Sequence, residues 1–366
     1  MTRRIESLKP NFARSNMKSS EITQTRQILS MRLGTHSASY QYAAPLILGN
    51  LDAEIQAAFS SARQSPTSTG SFAAVAASQT ITRSTGSWLT DGFLVGDMVK
   101  LSGFTVTDNN SMVAMVTALT ATTMTVDVLK PTDATTLLDD AAAAYRTVAL
   151  AGKRVSVGNA ALTTFGIEHY LPDNSVYELF SGMAVNKLQI DAKPGDMVKA
   201  TIDFVGLTST IGSAPQAGAT YTSAPTNDPM DAFSGKLYVG GVASGNITTL
   251  QVSLDNGRKT ADGVVGSPVA PGLIEGTNDT QVSLTAYFSD NSLANAFRNE
   301  QSIAIDVPFF DPNGTDFIKL RMGNVKITSV DEGIQMNGYV LLTIKGQALL
   351  DSASGTNCIL QRSNTP

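Results

Sequence analysis

Residues that usually carry chemistry are scarce in this chain. Of 366 residues one is cysteine, Cys358, one is tryptophan, Trp88, and two are histidine, His36 and His169. A single thiol excludes an internal disulfide framework, and Cys358, close to the C-terminus, reads as inert. The histidines are far apart and neither lies in an HxxxH or HExxH setting, so metal-ligand spacing is missing. Trp88 and the scattered tyrosines make no regular platform for stacking single-stranded bases. Charge is scarce too: 16% of residues are charged, with 26 basic against 31 acidic side chains and a net charge of -5. That is the wrong sign for a protein that grips phosphates. No apolar run reaches the ~18 residues of a membrane helix, and MTRRIESLKPNFARSNMKSSE lacks the apolar core of a secretory signal. A soluble, disulfide-free chain without cofactor or membrane association is expected.

Motifs of catalysis are missing as well. VALAGKRVS has Gly152-Lys153 but neither the earlier glycine nor a following Ser/Thr, so it is no phosphate-binding loop. DPNGTD at 311–316 lacks calcium-loop spacing and reads as a turn rich in Asx residues. There is no GxSxG and no Ser-His-Asp spacing. The chain is expected not to be an enzyme.

Thr, Ser, Ala, Gly and Val abound instead, the composition of β-sheets with small side chains. Residues 1–20 form a basic arm carrying Arg3, Arg4, Lys9, Arg14 and Lys18, either binding nucleic acid or an acidic partner surface or ordered only by neighbouring copies. SASYQYAAPLIL reads as a strand, and NLDAEIQAAF as a helix with Asn50 as N-cap and Leu51, Ile55, Ala58 and Phe59 on one face. Residues 66–145 hold short strands divided by turn residues and read as an inserted small β-domain. Residues 21–65 with 146–212 make a first unit, 213–232 a connector, 233–352 a second unit and 353–366 a tail.

Two glycine-bounded hairpins stand out: GMAVNKLQIDAKPGDMVKATIDFVG from Gly182 to Gly206, and GNVKITSVDEGIQMNGYVLLTIKG from Gly323 to Gly346. In the first, Lys187, Gln189, Asp191, Lys199, Thr201 and Asp203 alternate with Asn186, Leu188, Ile190, Val198, Ala200, Ile202 and Phe204. In the second, Lys326, Thr328, Gln335, Asn337 and Thr343 supply the polar side. Period-two alternation packs one face and leaves the other wet or lining something. Each hairpin follows a Gly-Thr strand and a helix: Gly34-Thr35 answers Gly276-Thr277, and Phe59 answers Phe297. The order reads as an internal duplication.

SSEITQTRQILSMRLGTHSASYQYAAPLILGNLDAEIQAAF resembles the N-terminal segment of tail tube proteins of long-tailed, non-contractile bacteriophages. Ser20, Glu21, Ile22, Arg26 and Gln27, then Leu51, Asp52, Ile55, Ala57, Ala58 and Phe59, carry the likeness, and FGIEHYLPDNSVYELFSGMAVNKLQI is similar to a further family run. The 66–145 block resembles a β-domain that many of these proteins carry at the same place. The resemblance implies a mainly β fold of two tandem sandwich units, each with one flanking helix and a long hairpin. Hairpins would join edge to edge around a ring whose inside is a DNA channel, and rings would stack into a tube in the virion tail, assembled in the host cytoplasm. With two units per chain a trimeric ring is expected, a hexamer being the alternative. The polar hairpin residues named above are then candidates for the lumen, the lysines among them either paired with neighbouring aspartates or set at a subunit seam. The basic arm is a candidate bridge between rings. Implied partners are further copies, tape-measure, terminator and tip proteins, and DNA passing without sequence-specific contact. An adhesive, receptor-binding β-protein with the 66–145 block as its head is the rival reading, and a β-sandwich hydrolase a remote one.

Overall fold

Alternating polar and apolar residues make most of this chain extended, and small side chains let the strands pack in wide sheets. The computed structural model describes residues 2–22, 24–25, 27–110, 112–130, 135–232, 237–244, 247–287, 292–314, 316–333 and 340–363. In chain order the elements are β1 (Ser7–Lys18), β2 (Met31–Pro45) and α1 (Asp52–Phe59), then β3 (Thr67–Val75), β4 (Thr80–Arg83), β5 (Met98–Ser102), β6 (Val113–Leu119), β7 (Thr123–Lys130) and β8 (Asp140–Leu150). β9 (Lys153–Ser156), β10 (Phe165–Leu171), β11 (Val176–Ala192), β12 (Lys199–Gly206) and β13 (Thr208–Gly212) follow. Then come β14 (Leu237–Val239), β15 (Val242–Ser244), β16 (Ile247–Asp255), β17 (Lys259–Thr260), β18 (Leu273–Ile274) and β19 (Asp279–Tyr287). α2 (Ser292–Arg298), β20 (Ser302–Phe310), β21 (Phe317–Gly333), β22 (Leu341–Ala348) and β23 (Ile359–Arg362) complete the chain.

One hydrogen-bonded path runs β1-β2-β12-β11-β16-β19-β22-β21-β20-β14-β15. Its two halves repeat one pattern: β1-β2-β12-β11 is answered by β16-β19-β22-β21. Two β-bulges recur at matching places. Asn186 bulges between the pairs Val185–Phe204 and Lys187–Asp203, and Thr328 between Ile327–Gly346 and Ser329–Lys345. A register shift between Phe165 and Ile167 against β11 is matched by one between Ile303 and Ile305 against β21. Bulges are positional features, so their recurrence carries the duplication better than residue identity does.

The long strands β11 and β21 change partners midway. Gly182, at φ +67°, takes a conformation costly for other residues just where β11 leaves β10 and β13 and joins β12. Ile318, Leu320 and Met322 from the first part of β21 share one core with Val325 and Ile327 from its second part and with Leu250, Leu284 and Ile344. The sheet therefore doubles back over a common core. Each fully buried Leu or Ile there contributes about 1.5–3 kcal/mol of apolar burial.

β3 to β8 close into a separate six-strand barrel with its own core. Trp88 fills it, 4.7 Å from the Phe72 ring and 5.8 Å from Phe93, with the Arg83 guanidinium over its face. The barrel reaches five residues past the block expected at 66–145, because β8 continues to Leu150.

Two expectations need correction. The N-terminal segment is not ordered only by neighbouring copies: β1 pairs along its length with β2 of the same chain. Asn50 does not cap α1, whose N-cap is Leu51 without a side-chain bond. Asn50 is buried and clasps Arg4 instead, accepting from its N–H at 3.0 Å and donating to its carbonyl at 2.9 Å. Phe297 is 38% exposed although its counterpart Phe59 is 1% exposed.

Candidate functional site

Among the described residues the most extensive organised polar surface is the face of β2, β12, β11, β16, β19, β22 and β21 turned away from the core. The pleat decides its membership. On β12, Ala200, Ile202 and Phe204 are buried while Lys199, Thr201 and Asp203 between them are half-buried. Cross-strand register then aligns the polar side chains in rows: Lys187 lies between Asp203 and Asp255, Gln189 between Thr201 and Ser253, and Asp191 between Lys199 and Gln251.

Glutamines hold three carboxylates of this face. Asp191 accepts from Gln189 at 2.9 Å and from Gln251 at 2.7 Å. Asp279 accepts from Gln281 at 2.8 Å and from Gln347 at 2.9 Å, and Asp203 from Gln41 at 2.5 Å. Two of the face's lysines are met by acids: Lys199 Nζ lies 3.2 Å from Glu6 and 3.8 Å from Asp196, and Lys326 Nζ 3.0 Å from Glu300. The hydrogen bond and charge of Glu6 raise the Lys199 pKa, so it stays cationic. Asp191, Asp203, Asp255 and Asp279 are interleaved with Lys187, Lys199, Lys326 and Lys345. A phosphate chain laid on such a face meets no continuous cationic row to hold it.

Lys187, Gln189, Asp191, Lys199, Thr201, Asp203, Lys326, Thr328 and Thr343 all lie on this one face. Gln335 and Asn337 lie outside the described residues. The strands between the hairpins, which the hairpin pattern does not include, belong to the same face. Gln251, Ser253 and Asp255 of β16, and Asp279, Gln281 and Ser283 of β19, complete the surface; the alternation in ITTLQVSLD and DTQVSLTAY was their signal.

The basic N-terminal residues are dispersed along one strand and its approach. Arg3 pairs with the largely buried Glu54 at 2.8 Å, which also accepts from the Tyr42 hydroxyl, and Arg4 donates to the Asn227 carbonyl. Arg14 reaches the Leu33 and Gly34 carbonyls, while Lys9 and Lys18 lie on β1 opposite Gln41 and Met31. His36 Nδ1 lies 3.0 Å from Thr208 Oγ1, and His169 sits on β10. The 311–316 segment closes as a turn: the Asp316 N–H donates to the Asp311 side chain.

Across the core from the polar face, the barrel is bolted to the sheet by buried charge. Lys319 Nζ lies 2.8 Å from Asp306 Oδ1 and donates to the Gly96 carbonyl, and Arg321 holds Asp306 Oδ2 at 2.6 Å. Arg154 pairs with Asp97 at 2.5 Å, and Gln361 bonds both backbone groups of Met98 at 2.8 Å. Burial lowers the Lys319 pKa and raises that of Asp97, against the pull of their partners. Tyr238 Oη donates to Asp127 of the barrel at 2.5 Å. The chain enters and leaves the barrel side by side, Gln64 and Arg154 exchanging backbone bonds of 2.8 and 2.9 Å.

Among the described residues no helix is long and apolar enough to cross a membrane, and no group of three or more His, Cys, Asp or Glu is placed to hold a metal. A comparison with curated proteins finds no match. A family model described as phage tail tube protein matches residues 5–348.

Proposed function

The chain belongs to the phage tail tube protein family, structural virion components that self-assemble into a tube, and from that premise we propose that its polar sheet face lines the bore. Three copies would close one ring, each supplying two equivalent units, so that the ring is pseudo-sixfold. Rings stack into the tail of a long-tailed, non-contractile phage, and the genome leaves through the bore without sequence-specific contact. During assembly the bore holds the tape-measure protein, and terminator and tip proteins close the two ends. The six-strand barrel, across the core from the polar face, stands outside the tube.

One observation carries this reading. The run β1-β2-β12-β11-β16-β19-β22-β21 is a duplicated pattern with core on one side, interleaved charge and amide on the other, and β1 terminating its path. Such a ribbon is relieved of its exposed ends by closing with further copies of itself. Concentrating the purified protein and imaging it in negative stain tests the function. Tubes or stacked rings are expected; discrete small oligomers at every concentration would instead support the adhesive reading.

A further inference from the structure

The repeated register says how one copy should meet the next. β1 pairs with β2 through Ser7–Ala43 and Leu8–Tyr42, as β16 pairs with β19 through Thr249–Thr285 and Leu250–Leu284. Likewise Lys187–Asp203 in the first hairpin corresponds to Ser329–Lys345 in the second, each directly after its bulge. β1 is thus the counterpart of β16, and the last part of β21 the counterpart of the last part of β11.

Within the chain β11 and β16 are joined, with Leu188 opposite Leu254, Gln189 opposite Ser253 and Ile190 opposite Val252. Among the described residues their counterparts have no such neighbour. β1 ends the sheet path, and β21 pairs with β20 only as far as Lys326, leaving Ile327–Gly333 bonded through β22 alone. Side-chain exposure follows the same division. Leu254 and Phe59, beside the closed join, are 2% and 1% exposed, whereas Phe12 and Phe297, their counterparts beside the open edges, are 37% and 38% exposed. The open edges also differ in sign: Lys9 and Arg14 lie on β1, Asp331 and Glu332 at the end of β21.

We propose that the last part of β21 receives β1 of the next copy, antiparallel and in the register of the internal join. Ser329 then faces Ala13, Val330 faces Phe12, Asp331 faces Asn11 and Gly333 faces Lys9 of the neighbour. Phe12 covers Val330 as Leu254 covers Leu188, and Lys9 comes diagonal to Asp331 on the polar face. The basic β1 residues thereby act around a ring rather than between rings. This inference rests on the tube reading, because it needs copies side by side.

Cysteine pairs test the register. Gln189→Cys with Ser253→Cys spans the internal join and serves as the geometric standard: under oxidised glutathione it forms an intrachain disulfide whether or not the protein is assembled. Cys358, at 1% exposure, does not compete. Asn11→Cys with Asp331→Cys is expected to link chains only in assembled material, closing at three chains on a non-reducing gel. Ala13→Cys with Gly333→Cys, out of register by four residues, should stay unlinked. Linking by the second pair and not the first overturns the register, and no linking by either in visible rings overturns the seam. Closure at six chains upholds the seam and overturns the trimer. If the unmodified protein makes no rings at all, the tube reading itself falls, and the seam with it.

Discussion

Lys319 Nζ sits 2.8 Å from Asp306 Oδ1 with both side chains almost sealed from water, at the place where the barrel meets the sheet. Asp306 serves two cations, since Arg321 holds its other oxygen at 2.6 Å. The two partners are therefore not equivalent. Lys319→Met leaves Asp306 with Arg321, whereas Asp306→Leu strands a buried ammonium whose remaining partner is the Gly96 carbonyl. Removing one partner of a buried pair costs about 3–5 kcal/mol; Asp306→Leu should reach that range and Lys319→Met fall about 2 kcal/mol short of it. Urea denaturation checks the order, and the reverse ranking would contradict it.

Asn50→Ala should cost about 1–3 kcal/mol, because it removes two hydrogen bonds from the half-buried backbone of Arg4. A helix cap lost at this position would weaken α1 and leave the N-terminus protected. Here the expected mark is faster tryptic cleavage at Arg3 and Arg4 in the folded protein.

Burial pushes the Cys358 thiol up to about 12. The folded chain should therefore ignore Ellman's reagent at pH 8 and react with one equivalent in denaturant. Because the folded pKa exceeds the unfolded one, the contribution to stability is complete below the unfolded thiol's pKa. It is lost as pH climbs from there to about 12. Rapid native labelling at pH 8 would contradict this placement.

Exchanging Asp191, Asp203, Asp255 and Asp279 for Lys should leave secondary structure intact and turn the polar face cationic. Assembled tubes of this variant are expected to retain short duplex DNA, with affinity falling steeply as salt rises. Tubes of the unmodified protein should retain none at physiological salt. Equal retention by both would remove the polar face from the bore.

Local pattern made much of this structure legible in advance. Lys187–Ala192 and Lys199–Phe204 alternate so strictly that strand and face follow from period two alone, and Gly34-Thr35 against Gly276-Thr277 exposed the repeat. What was not legible depended on contacts distant in sequence. Nothing near Asn50 announces that its side chain will hold Arg4 rather than the helix. Nor does KPNFARSNMK, rich in bases and carrying Pro10, show that it will pair with SASYQY; only the sheet supplies its partner. The polar face was half visible because Gln251 and Gln281 belong to strands between the hairpins, and their meeting on the carboxylates of Asp191 and Asp279 needs the sheet order.

The account stands most directly on a cryo-electron-microscopy reconstruction of assembled tubes from the purified protein. It predicts threefold rings with Gln189 and Gln251 facing the bore and the Trp88 barrel on the outer wall. Strict sixfold rings, or a bore lined by any other face of the sheet, would contradict it.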